Sequence, residues 1–147
     1  MKMTLRITRI LLDDIRRDLE RPHEFASERV GWVFCRFGST NSAGLLVLAH
    51  EYMPVADDHY IDDGRFGALI GAAAFRRARE RTLDDALGIF HVHMHAHAGP
   101  ASPSAVDLTE SRKFVPDLFH VQSTLPLAAT QTPPPVATPN SPTPWAA

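Results

Sequence analysis

The stretch "GIFHVHMHAHAG", residues 88–99, limits what this chain can fold into more than any other. His91, His93, His95 and His97 occupy alternate positions, with Val92, Met94 and Ala96 between them. Period-two spacing gathers residues on one face only in an extended strand. Leu87, Ile89, His91 and His93 then share one side, and Gly88, Phe90, Val92, Met94 and Ala96 the other. The second set is apolar and belongs against a helix or core. The first is apolar until His91 and then turns to imidazole, as expected of a buried strand running out into a cleft.

The remaining chain supplies a sheet and helices for that strand. "TLRIT" (4–8) alternates as a short first strand. Leu11, Leu12, Ile15 and Leu19 then recur at helical spacing, with Thr8 as cap and Pro22 as stop, predicting a helix over 9–20. "ERVGWVFCRF" (28–37) and "LLVLAHEYMPV" (45–55) read as two strands of a hairpin around the turn "GSTNSAG". "ADDHYIDDGR" reads as a loop with a short strand near Tyr60. "FGALIGAAAFRRARERT" reads as a helix with Phe66, Leu69, Ile70, Ala73 and Arg77 on one side. Beyond "AGPASP", Ser104 caps a short helix over 105–112 that carries Asp107 on its first turn. The fold class expected is α/β, a central mixed sheet flanked by helices.

Length and charge narrow the function classes. At 147 residues the chain forms one domain with a real core, over residues 1–125. From Pro126 onward, seven of the twelve prolines and no charged residue predict an extended or disordered tail, 126–147. Fifteen basic against seventeen acidic residues give a net charge of −2, and the arginines interleave with acids in "DDIRRDLERPHE". That balance argues against nucleic-acid or membrane-surface partners. No apolar run approaches the roughly 20 residues of a membrane helix. "MKMTLRITRILLDD" acquires charge too early for a signal peptide, so a cytoplasmic protein is expected. The single cysteine, Cys35, excludes an internal disulfide and a four-cysteine zinc site, and its apolar surroundings predict a buried, inert thiol.

The histidine run has the chemistry of a metal site. Alternate residues on one strand face lie about 6.6 Å apart at Cα, so two imidazoles leaning together can share an ion at about 2.0–2.1 Å. One straight strand cannot surround a tetrahedral ion. Asp107, just past the turn, is placed to supply a third ligand and leave a fourth position for water, the mark of a catalytic site. Amide hydrolysis also needs a carboxylate to move protons. Glu28 and Glu51 stand on strands, and Glu28, at the start of its strand, is preferred. Each residue also has a plainer reading. Ser104 and Asp107 form a serviceable capping box, Glu28 can be a solvated boundary residue, and the histidines can be a surface metal-scavenging sequence.

Glu28, then His91-x-His93 at a strand end, then Ser104-x-x-Asp107, resembles the JAMM motif of the JAB/MPN metalloproteases. "ALGIFHVH" is similar to the strand leading into that family's histidine pair. Within the family it resembles the bacterial JAB-like branch, over residues 3 to about 120. The resemblance implies a cytidine-deaminase-like fold and a zinc-dependent peptidase or isopeptidase. His91, His93 and Asp107 would hold Zn²⁺, and Glu28 would take a proton from the attacking water and pass it to the leaving amine. Ser104 would hydrogen-bond the water or the oxyanion. Family members usually have about seven residues between the second histidine and the serine. His93 leaves three more than that and His95 with His97 one fewer, so the second register stays open.

The implied substrate is the C-terminal tail of a ubiquitin-like or sulfur-carrier protein, as precursor or conjugate. E1-like and E2-like conjugation components are the implied company. Family members continue into further strands beyond a segment like "KFVPDLFHVQS", whereas "LPLAATQTPPP" offers at most one weak strand. The C-terminal strands are therefore expected to be truncated, which leaves three readings open: a domain closed by a partner, a naturally shortened protein, or a homodimer formed through the uncovered sheet edge. Two other functions fit the same residues. One is a catalytically inactive scaffold of this fold; the other is a histidine-rich metal-binding module holding more than one ion.

Overall fold

The computed structural model describes residues 2–39, 44–85 and 87–95, together with residues 105, 108, 109, 112 and 113. Within these, four strands and two longer helices follow in the order β1 (Met3–Arg6), α1 (Arg9–Leu19), β2 (Val30–Ser39), β3 (Leu45–Pro54), α2 (Ala72–Asp85) and β4 (Gly88–His93). The strands form one mixed sheet ordered β1-β3-β2-β4. β1 runs parallel to β3, and β2 is antiparallel to both β3 and β4. The architecture is α/β, as the hydrophobic spacing predicts.

β2 reads as a nearly continuous apolar run because it is covered on both faces. Val30, Trp32 and Phe34 point into a core shared with Leu87, Val55, Tyr60, Ala74 and Ala78. Val33 and Cys35 point the other way, into a core with Val47 and Ile15. The Cys35 side chain is fully buried, and burial raises its thiol pKa. Against β3 the register shifts between Phe34 and Cys35, so that Phe34 opposes Glu51 and Cys35 opposes Ala49. One extra residue on β3, His50, absorbs the shift. The bulge reverses the parity of β3, and Ala49 and Tyr52 therefore join the same core despite odd spacing.

α1 begins where Thr8 accepts the Leu11 N–H on its hydroxyl at 3.2 Å, satisfying an orphan donor of the first turn. Ile15 is its buried residue, with Leu11 and Leu19 packed beside it. Asp18 accepts a hydrogen bond from the Tyr52 hydroxyl at 2.6 Å, which ties the helix to β3.

α2 departs from the expected helix. It starts at Ala72, and its buried residues are Ala74, Ala78 and Thr82, four apart in sequence; Arg77 is exposed. The preceding residues close a loop instead. Tyr60 bridges Ile70, Ile61 N–H donates to Leu69 O at 2.8 Å, and Gly71 N–H to His59 O at 2.8 Å. The small residues of the helix let it approach the sheet closely at Ala74 and Ala78.

β4 bears out the alternation on one side more than the other. Leu87 is fully buried and Ile89 packs against the α2-side core. On the opposite face Val92 packs beside Val33 and Cys35, but Phe90 and Met94 are each 39% exposed. α1 packs against β3 and β2, and the expectation of a wholly covered apolar set fails at Phe90 and Met94. Ala105, Leu108, Thr109, Arg112 and Lys113 are helical, within or next to the span of the short helix predicted over 105–112. The proline-rich tail lies outside the described residues, as do residues that would test for further C-terminal strands.

Candidate metal centre

The antiparallel register of β2 and β4 builds the site. Trp32 opposes His91 and Val30 opposes His93. Carried two places beyond the last pair, the same register sets Glu28 opposite His95. The residues meet there: Glu28 Oε1 lies 3.3 Å from His95 Nδ1, and His93 Nε2 lies 3.2 Å from His95 Nε2. Among the described residues, Glu28, His93 and His95 form the one group of three potential ligands, each offering an atom within 4.8 Å of the others. β4 ends at His93. Past that point the chain is no longer held to the flat alternation of the strand, and the two rings turn edge to face with centroids 4.6 Å apart.

The segment before β2 is fixed from several directions. Glu28 N–H donates to Gly67 O at 3.0 Å, and the Ser27 hydroxyl donates to the same carbonyl at 3.4 Å. Arg29, with its side chain 2% exposed, donates to Arg21 O at 2.8 Å, to Pro22 O at 2.9 Å and to Asp57 at 2.7 Å. That ion pair holds the Asp57 carboxyl below its usual range, the hydrogen bond from Arg29 being the main cause. Val30 N–H donates to the Tyr60 hydroxyl at 2.8 Å. His23 Nδ1 accepts from the Phe25 and Ala26 backbone N–H groups at 3.3 and 3.2 Å. Glu28 thus leaves a braced backbone, which suits a group that must hold one position.

The other sequence candidates fall in different places. His91 packs its ring edge-on to Trp32 at 5.2 Å, and its centroid lies 5.4 Å from that of the His93 ring. It stands on the same strand face, deeper in the sheet, and is not part of the three-residue group. Glu51, the alternative carboxylate, is engaged by Arg81 at 2.6 and 3.0 Å. His97, Ser104 and Asp107 lie outside the described residues. The structure therefore joins one histidine of the first register, His93, with one of the second, His95. Eight residues separate His95 from Ser104.

The donor set fits a divalent ion. Two nitrogens bound tetrahedrally at about 2.0–2.1 Å stand about 3.3 Å apart, close to the 3.2 Å separation of the two Nε2 atoms. Two imidazoles suit a borderline metal such as zinc. An ionised carboxylate only accepts hydrogen bonds, so a hydrogen bond between Glu28 and His95 requires the Nδ1–H tautomer of the imidazole, the one that would leave Nε2 for an ion. A carboxylate that orients a ligating imidazole in this way also raises its basicity. Glu28 and His95 side chains are 21% and 20% exposed, enough for a small solute to reach them.

A surface depression of about 320 Å³ is lined by His23, Glu24, Phe25, Asp57, Asp58 and Tyr60, none of which belongs to this group. Two of its polar residues have structural duties: Asp57 pairs with Arg29 and the Tyr60 hydroxyl meets Val30. The His23 and Tyr60 rings pack on each other at 4.4 Å. We regard it as part of the brace behind Glu28.

No helix among the described residues is long and apolar enough to cross a membrane. Comparison with protein-family models, with curated proteins and with solved structures gave no match for this chain.

Proposed function

We propose that this chain is a zinc-dependent peptidase or isopeptidase acting on the amide bond after the C-terminal tail of a ubiquitin-like protein, in a precursor or a conjugate. One observation carries the reading: a carboxylate from the start of β2 and two imidazoles from the end of β4 converge within 4.8 Å. The chain order of Glu28, then a His-x-His pair within the run His91 to His97, then Ser104-x-x-Asp107, is what resembles the JAMM pattern. In this reading His93 and His95 are the imidazole ligands and Asp107 the third. The interval from His95 to Ser104 is one residue longer than the family's usual seven.

When bound, zinc would acidify a water molecule and polarise the scissile carbonyl. Glu28 accepts the proton from the attacking water and returns it to the leaving nitrogen, since an amide leaves only when its nitrogen is protonated. Before that step the same carboxylate orients His95 through Nδ1. Ser104 donates to the oxygen that gains charge. Among the described residues β4 pairs only with β2. An extended tail added along its other side would run toward His93 and the cluster.

The test is cleavage of a ubiquitin-like protein carrying a C-terminal extension, followed by mass spectrometry of the products. The zinc-loaded chain should release the extension after the tail's last residue. Glu28→Gln should keep its zinc and lose cleavage. A zinc-bound protein inert on such fusions and on lysine-linked conjugates would favour the inactive scaffold instead.

A further inference from the structure

Gly67 occupies a position that its backbone does not reserve for glycine, because its φ lies outside the left-handed range. What the missing side chain provides is room for Glu28. A Cβ on residue 67 would stand 2.7 Å from Glu28 Cδ, 2.8 Å from Oε2 and 3.0 Å from Cγ. Those separations are far inside van der Waals contact. The Glu28 side chain therefore lies flat on the Gly67 backbone, while its own N–H donates to the Gly67 carbonyl at 3.0 Å. The loop delivering Gly67 is itself held in shape. Ile61 and Leu69 close its base, and Asp63 accepts hydrogen bonds from Arg65 N–H and its guanidinium at 3.2, 2.8 and 2.6 Å.

We propose that Gly67 is a positioning residue, whose backbone and absent side chain together set the Glu28 carboxylate against His95. This rests on the metal-centre reading. The acidic end of Glu28 is the flexible partner in the contact. A methyl group at 67 would push it aside rather than disrupt the core, and Oε1 would leave its place 3.3 Å from His95 Nδ1. Alanine also narrows the unfolded ensemble, which offsets part of any strain.

The experiment measures zinc affinity of the full chain by chelator competition, and the melting temperature of the metal-free protein. It compares wild type, Gly67→Ala, Glu28→Ala and the double variant. Gly67→Ala should weaken zinc binding about 10- to 100-fold, the range for loss of a ligand-orienting partner. Its melting temperature should stay within about 4 °C of wild type. The double variant should bind no more weakly than Glu28→Ala, because both changes act through one carboxylate. Unaltered affinity in Gly67→Ala, or losses that multiply in the double variant, would overturn the proposal and leave the metal centre standing. A wild-type chain that binds no zinc would overturn both. Should Gly67→Ala fail to fold, the double variant decides: recovery of folding traces the clash to Glu28, and failure to recover refutes it.

Discussion

Glu28 and His95, 67 positions apart in sequence, meet at 3.3 Å through Oε1 and Nδ1. The contact gives Glu28 two separable duties, orienting an imidazole and carrying a proton. Glutamine keeps an oxygen that can accept from His95 Nδ1–H but has no useful basicity, whereas alanine removes both. Glu28→Gln should therefore bind zinc within a few-fold of wild type, and Glu28→Ala should lose about 10- to 100-fold. Isothermal titration of the two variants checks the difference. Equal affinities would confine Glu28 to proton transfer.

Arg29 sets a second prediction, on stability. Its buried guanidinium satisfies the Arg21 and Pro22 carbonyls as well as Asp57. Arg29→Met should cost about 2–4 kcal/mol, because those acceptors lose a charged donor. Asp57→Asn should cost less, below about 1 kcal/mol, since the carboxylate is 60% exposed and screened by water. The Asp57 carboxyl is held below its usual range. Its contribution is complete above the unfolded value, about 3.9, and disappears as pH falls through the lowered folded value. The gap between wild type and Asp57→Asn in urea midpoints should thus close in acid.

A third prediction concerns Gly31, whose site faces the Tyr52 ring. A Cβ there would run into the ring carbons and the hydroxyl, and that hydroxyl is fixed by Asp18 at 2.6 Å. Gly31→Ala should cost about 1–3 kcal/mol through overpacking, measured by chemical denaturation. A neutral substitution would show that Tyr52 swings away freely.

Cys35 offers a probe of the core between α1 and the sheet. The thiol is fully buried and its pKa is raised by that burial, so little reactive thiolate is exposed. A disulfide reagent should label it only on the timescale of unfolding. Rapid labelling of the native protein would contradict the packing of β2 against α1.

Local pattern carried much of the fold. Thr8 announced its helix because a cap is read from neighbouring residues, and β2 announced itself because a strand buried on both faces is apolar throughout. The start of α2 was not legible. Phe66, Leu69 and Ile70 fit a helical stripe, yet the backbone bonds at Ile61 and Gly71 hold that segment in a loop. The candidate cluster was partly legible too: strand position and alternation single out Glu28 and His93, while His95 enters only through the alternative register with His97. That His95 completes the cluster depends on the pairing of β2 with β4, and a register between distant strands leaves no local trace. Gly67 was invisible for the same reason, as its role exists only where the loop touches Glu28.

The most direct test is zinc binding by single histidine variants, read as stoichiometry and affinity. Wild type should bind one ion per chain. His93→Ala and His95→Ala should each lose at least about 100-fold in affinity, more than removal of an orienting partner costs. His91→Ala, whose ring packs on Trp32, should bind nearly as wild type. Unimpaired binding in His95→Ala, or a loss in His91→Ala as large as in His93→Ala, would contradict the account.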